Sequence, residues 1–101
     1  MATRSFEHEG QLHNLEEGRW SGWKDYNDGR ANFKWVGATV HMLFAPYSEN
    51  PNDNHVHVKK PMGAPRFGWT LCSVKTNKQH DFNRREFIST INELLHMDIT
   101  P

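Results

Sequence analysis

Three histidines have the spacing needed for a metal site on a β-sheet. His55 and His57 stand two residues apart in a short stretch of β-forming residues, and side chains at i and i+2 of a strand point to the same face. His41 belongs to the preceding predicted strand. If the two strands pair antiparallel with their apolar sides matched, all three imidazoles share the polar face, and one register places His41 directly opposite His57. Three imidazoles on one face suit Zn²⁺ and leave a fourth position for water.

This local pattern of His41, His55 and His57 resembles the strand-borne three-histidine site of carbonic anhydrases, over these three residues only. The resemblance implies zinc as a cofactor. The alternative interpretation is that the histidines lie on an ordinary solvated strand face, which implies no cofactor.

Aromatic and basic residues near predicted turns form a second group of interest. The chain contains four Trp, two Tyr and six Phe, which is more aromatic surface than a small core hides completely. We expect Phe33, Trp35, Phe44 and Trp69 to fill the core. Trp, Tyr and Arg dominate the binding energy of protein interfaces, so the expected partner-binding residues are Arg19, Trp20, Trp23, Arg30, Tyr47, Lys59, Lys60 and Arg66.

The second group favours a small non-enzymatic protein that binds another protein, of the accessory or inhibitor type that phages, for example, encode. The alternative is a binder of single-stranded nucleic acid or of a nucleotide, with bases stacked on exposed rings and phosphates held by Lys59, Lys60 and Arg66. Unpaired edge strands would also allow a homodimer. Cys72 lies in an apolar stretch, and we expect it to pack rather than to act as a nucleophile.

Alternating apolar residues predict the sheet that positions these side chains. Residues 23–27 and 30–36 indicate a hairpin closed by Asp28-Gly29, in which glycine would supply a positive φ. The apolar phase shifts across Gly37, which predicts a turn or a bulge. Further strands are expected at residues 38–44, 55–59 and 69–75.

An amphipathic helix is predicted at about residues 84–97. Its N-terminus carries a capping-box pattern of Asn83 and Glu86, with Phe82 and Phe87 as a hydrophobic staple. The resulting fold class is α+β, a small antiparallel sheet of four to five strands with one C-terminal helix packed on one face. A small barrel plugged by the helix is the alternative. Residues 1–18 are expected to be a polar arm, with a short helix over residues 12–17 as the other option, and residues 19–101 a single domain.

Composition limits the classes of function. A chain of 101 residues fits one domain. Twelve basic and twelve acidic residues give zero net charge, which argues against general binding of a phosphate backbone. A single cysteine excludes an intrachain disulfide, and the N-terminus lacks the apolar run of a signal peptide. We therefore expect a cytoplasmic protein with no membrane partner.

Overall fold

The computed structural model describes residues 2–47, 54–65, 67–76 and 81–100, except for the side chains of residues 81–83. Strands β1 and β2 form a two-stranded antiparallel sheet, and strands β3 to β7 form a five-stranded antiparallel sheet in sequential order. A single helix follows the last strand within this part of the chain. The elements are β1 (Thr3–His8), β2 (Gln11–Glu16), β3 (Lys24–Asp25), β4 (Gly29–Val36), β5 (Thr39–Pro46), β6 (His55–Pro61), β7 (Thr70–Lys75) and α1 (Asp81–Leu95).

The predicted α+β class and the C-terminal helix are confirmed, but the layout of the strands differs from the prediction. Residues 3–16 form a hairpin, neither a polar arm nor a short helix. Glu9 and Gly10 make its turn, both with positive φ, as a two-residue turn of type I′ requires. The inward positions of the hairpin include His8 and His13, which are 8% and 7% exposed. Because histidine does not register as apolar, the sequence shows no clear alternation here.

One face of the five-stranded sheet carries the hydrophobic core. Strand β4 contributes Phe33 to this face, and both the β1–β2 hairpin and α1 lie on the same core cluster. Phe6 of β1 packs on Phe33 with ring centroids 5.3 Å apart. Buried residues from the sheet, the hairpin, the helix and the segments next to them form this single core, which includes the predicted Phe33, Trp35, Phe44 and Trp69. Its members are Phe6, Leu15, Tyr26, Ala31, Phe33, Trp35, Val40, Met42, Phe44, Val56, Val58, Trp69, Phe87, Ile88, Ile91, Leu95 and Ile99.

Two glycines shape the β3–β5 meander in different ways. Gly37 has φ +60° in the tight connection between β4 and β5, so the predicted turn is confirmed. Gly29 does not have a positive φ, contrary to the prediction for the Asp28-Gly29 pair. Its role is close approach instead, because a Cβ atom at this position would lie 2.3 Å from the carbonyl oxygen of Ala45 on strand β5.

Helix α1 begins three residues earlier than predicted and ends at Leu95. His96 then adopts φ +54°, and the Met97 N–H donates to the carbonyl of Asn92 at 3.1 Å, which is a Schellman-type ending with histidine in place of glycine. The Asn92 side chain also holds the backbone of Ile99 through two hydrogen bonds of 2.7 and 3.0 Å. The side chains of Asn83 and Phe82, on which the predicted capping box and staple depend, lie outside the described residues.

Candidate metal centre

The face of the five-stranded sheet opposite the core is called here the polar face. It carries His41, His55 and His57 together with Lys34 and Lys59. Strand alternation puts Lys34, His41 and Lys59 in one row across β4, β5 and β6, because Lys34 pairs with His41 and His41 pairs with Lys59. His57 pairs with Leu43 on the same face. The predicted grouping of the three histidines on one side of the sheet therefore agrees with the strand register.

His41 and His57 are diagonal neighbours on β5 and β6, not the directly opposite pair that one predicted register would give. The Nδ1 atom of His41 nevertheless lies 2.9 Å from the Nε2 atom of His57. The ring centroids are 5.1 Å apart. A neutral imidazole has one N–H donor and one acceptor nitrogen, so one ring donates a proton to the other and both rings are held in place.

A β-bulge brings Cys72 to the same place. His57 pairs with Ser73 and Val58 pairs with Leu71, which leaves Cys72 as the extra residue on β7. The ligand atoms of His41, His57 and Cys72 all lie within 4.8 Å of one another. The prediction that Cys72 packs in the core is therefore wrong. Cys72 is exposed, because the bulge breaks the period of two on which the assignment of faces depended.

Two tryptophans border the histidines. The Trp20 ring stands edge-on to His57 with centroids 5.7 Å apart, and the Trp23 ring stands edge-on to His55 at 6.1 Å. Backbone bonds hold the segment that carries them along β4, with Ser21 N–H donating to the Phe33 carbonyl at 2.8 Å. Both tryptophans are half-buried against the polar face, whereas the sequence predicted surplus exposure near turns.

The electrostatic environment keeps the two imidazoles of the cluster neutral. Burial is the main cause that lowers the pKa of His41, followed by the charges of Lys34 and Lys59. Burial also lowers the pKa of His57, followed by His41, Lys34, His55 and Lys59. A metal binds only the neutral form of imidazole, so both rings are ready to act as ligands near neutral pH.

The predicted metal ligands are thus only partly brought together. His41 and His57 are adjacent, and Cys72 rather than His55 completes the cluster of candidate ligands within the described residues. His55 shares the polar face and pairs with Lys75 further along β6. The sequence signal for Cys72 was weak, since only the bulge turns its side chain toward the histidines.

The predicted partner-binding residues are scattered over several surfaces. Arg19 and Arg30 are exposed and form ion pairs with Glu16 at 3.3 Å and with Asp25 at 3.0 Å. Tyr47 is 52% exposed, and Lys59 is exposed on the polar face. Arg66 lies outside the described residues.

Lys60 occupies a different environment from its neighbour Lys59. It is only 6% exposed and belongs to the core side of β6. Its Nζ atom donates to the carbonyls of Ala64 at 2.9 Å and of Pro65 at 3.4 Å, and burial lowers its pKa. The ammonium also lies 5.4 Å from the Phe6 ring centroid and 5.1 Å from that of Trp69. Lys60 therefore holds a loop to the core and offers little surface to a partner.

The cluster of His41, His57 and Cys72 suits a transition metal of the zinc type. Zinc–nitrogen bonds of about 2.0–2.1 Å and zinc–sulfur bonds of about 2.3 Å place tetrahedral ligand atoms about 3.3–3.6 Å apart. The ligand atoms lie within 4.8 Å of one another, which is close to that spacing. Two imidazoles and one thiolate are donors that favour Zn²⁺, Co²⁺ or copper over Mg²⁺ and Ca²⁺.

Comparison of the chain with protein-family models, with curated proteins and with solved structures finds no match. No helix in the described part of the chain has the length and apolar character that crossing a membrane would require.

Proposed function

We propose that this protein binds one transition-metal ion, with Zn²⁺ as the best-matched ion, through His41, His57 and Cys72. The observation that carries the proposal is the position of their three ligand atoms within 4.8 Å of one another. Each residue comes from a different strand, β5, β6 or β7. A bound ion would therefore join three neighbouring strands. Its free energy of binding would add to the free energy of unfolding.

The bond between the two imidazoles supports the proposal further. Its length of 2.9 Å shows that the rings converge without a metal, so little side-chain ordering remains to be done when an ion binds. Preorganised side chains raise the affinity for the ion because they lose less conformational entropy when it binds. A metal ion bound by both nitrogens would take the place of the shared proton, which would move to the other nitrogen of the ring that carried it.

The experiment measures Zn²⁺ binding to untagged protein by titration calorimetry. We expect one equivalent to bind to the wild type, and binding to be lost in His57→Ala. His55→Ala is the matched control, because it removes an imidazole from the same strand and the same face. At a free metal concentration 100-fold above Kd the protein should gain about 2.7 kcal/mol of stability, which raises Tm by roughly 10–20 °C for a domain of this size.

Two results would contradict this assignment. Wild-type protein that binds less than a tenth of an equivalent of Zn²⁺ would remove the metal function. Equal losses in His55→Ala and His57→Ala would replace the proposed ligand set by the three histidines His41, His55 and His57.

Binding of a protein partner remains a second proposal, supported by the large exposed ring of Tyr47 and by exposed Arg30. Both lie where β4 begins and β5 ends: Arg30 pairs with Ala45, and Tyr47 directly follows the last residue of β5. Tyr47→Ala and Arg30→Ala should each weaken such a complex while Tm stays unchanged. Unchanged retention of partners by the double variant would remove this surface from consideration.

Stacking of unpaired bases on Trp20 has less support. The Nζ atom of Lys34 lies 4.6 Å from the centroid of the Trp20 ring, so a cation already occupies one of its faces, and the ring edge meets His57.

A further inference from the structure

The metal centre has three protein ligands, and a tetrahedral ion needs a fourth. Cys72 is an exposed residue, so the cluster lies next to solvent and the fourth ligand can come from solution. The chemistry of that fourth ligand depends on the charges around the open position.

Two lysines flank the cluster on the polar face. Lys34 and Lys59 are the cross-strand neighbours of His41 on either side, and side chains paired in this way stand about 4.5–5.5 Å apart at Cβ. The Lys34 ammonium is held over the Trp20 ring at 4.6 Å, and that ring contacts His57.

Charge balance then favours an anion at the fourth position. A divalent ion, one thiolate and two ammonium groups leave about three positive charges in a small region, since the imidazoles are neutral. Water in the fourth position would leave this repulsion in place. An anion would relieve it by bonding to the metal and accepting hydrogen bonds from the ammonium groups.

Aromatic neighbours on one side of the cluster strengthen the binding of a charged ligand. Half-buried Trp20 and Trp23 stand beside His57 and His55 on the same face. Apolar rings next to an ionic site reduce its contact with water, which strengthens the electrostatic attraction.

We propose that the metal-loaded protein binds a small oxyanion of the carboxylate or phosphate class, which coordinates the ion at the fourth position and pairs with Lys34 and Lys59. This inference rests on the proposed metal function. It assigns to Lys34 and Lys59 a role in binding the oxyanion rather than the metal ion.

The test uses protein loaded with Co²⁺, whose visible spectrum reports ligand exchange. Titration with acetate and, separately, with inorganic phosphate should change the spectrum saturably. The two titrations show which class of oxyanion the site prefers. The coupling free energy between two bound ligands is the same in both directions. The preferred anion should therefore raise the affinity for Co²⁺ by the same factor by which Co²⁺ raises the affinity for the anion.

Variants distinguish the lysines from the metal ligands. The double variant Lys34→Gln/Lys59→Gln should weaken anion affinity about tenfold or more, while its metal affinity without anion is retained or increased. Lys59→Gln alone, which changes an exposed residue, should weaken anion affinity about threefold. Lys24→Gln removes the same charge from β3 and should leave anion affinity unchanged.

The outcomes separate the two proposals. A spectrum and a metal affinity that respond to neither anion would overturn this inference and leave the metal function standing. Equal anion affinity in the wild type and in the double lysine variant would overturn it as well. Failure of the wild type to bind Co²⁺ at all would overturn both.

Discussion

The Nδ1 atom of His41 and the Nε2 atom of His57 lie 2.9 Å apart on neighbouring strands of the sheet. This contact holds two imidazoles in a convergent orientation, and a bulge on the edge strand adds the thiol of Cys72. The arrangement depends on backbone geometry and not on loop conformation, because all three residues belong to strands. Sites built on strands hold their ligands more accurately than sites on loops.

The hairpin of residues 3–16 should be needed for stability, although its sequence is polar. Phe6 is buried against Phe33, so Phe6→Ala should lower the free energy of unfolding by about 3–5 kcal/mol. Leu12→Ala in the same hairpin is the control. Leu12 is 66% exposed, and its substitution should change stability by less than about 0.5 kcal/mol. Equal effects in urea denaturation would mean that the hairpin does not share the core.

Gly29 should resist substitution for steric reasons. A Cβ atom there meets the Ala45 carbonyl oxygen at 2.3 Å, so Gly29→Ala must push strands β4 and β5 apart and should lose about 1–3 kcal/mol. Gly63→Ala is matched in chemistry, but a Cβ at Gly63 meets nothing within 4 Å, and we expect it to be neutral or slightly stabilising. Thermal denaturation of both variants measures the difference. Similar Tm values would show that the strands accommodate the methyl group.

Neighbouring lysines should behave differently when truncated. Lys60→Ala removes a buried ammonium that donates to the Ala64 and Pro65 carbonyls and should lower the free energy of unfolding by about 1.5–3 kcal/mol. Lys59→Ala, on the exposed side of the same strand, should stay within about 0.5 kcal/mol of the wild type. If chemical denaturation gave equal values for the two variants, the assignment of β6 faces would be wrong.

Metal-free protein should lose stability below about pH 6.5. Burial and then Lys24 lower the pKa of His13 from its usual 6.5, while burial and Glu9 raise the pKa of its hydrogen-bond partner Tyr26 to about 12. The unfolded chain therefore binds the His13 proton more tightly than the folded chain. The contribution of His13 is complete above pH 6.5 and is lost as the pH falls through the lower folded pKa.

The variant His13→Gln isolates this effect. In urea titrations with a chelator present, its stability should decline less between pH 7 and pH 5 than that of the wild type, whatever its absolute stability. A decline as steep as that of the wild type would show that His13 is not responsible.

The sequence predicts the centre of the fold better than its margins. Strict alternation around Val40, Met42 and Val58 identified the buried face of the sheet, and the spacing of Phe87, Ile88 and Ile91 identified the buried face of the helix. These elements follow from apolar periodicity alone. The helix starts earlier than predicted because its first turn carries little of that periodicity.

The remaining differences arise where tertiary contacts override the pattern of single residues. His8 and His13 act as core residues of the hairpin because aromatic neighbours surround them. Lys60 is buried because carbonyl oxygens of the following loop satisfy its ammonium. Cys72 leaves the core because of a bulge, a feature that depends on the partner strand. None of these contacts is visible in the local sequence.

The absorption spectrum of the protein after addition of Co²⁺ tests the proposed metal centre most directly. The chain contains one cysteine, so an intense near-ultraviolet band from thiolate to cobalt can arise only from Cys72. We predict this band, at one Co²⁺ per chain and independent of protein concentration, in the wild type and in His55→Ala, and its loss in Cys72→Ser and His57→Ala. A wild-type complex without the band, or a band that His55→Ala abolishes, would contradict the assignment of His41, His57 and Cys72 as the metal ligands.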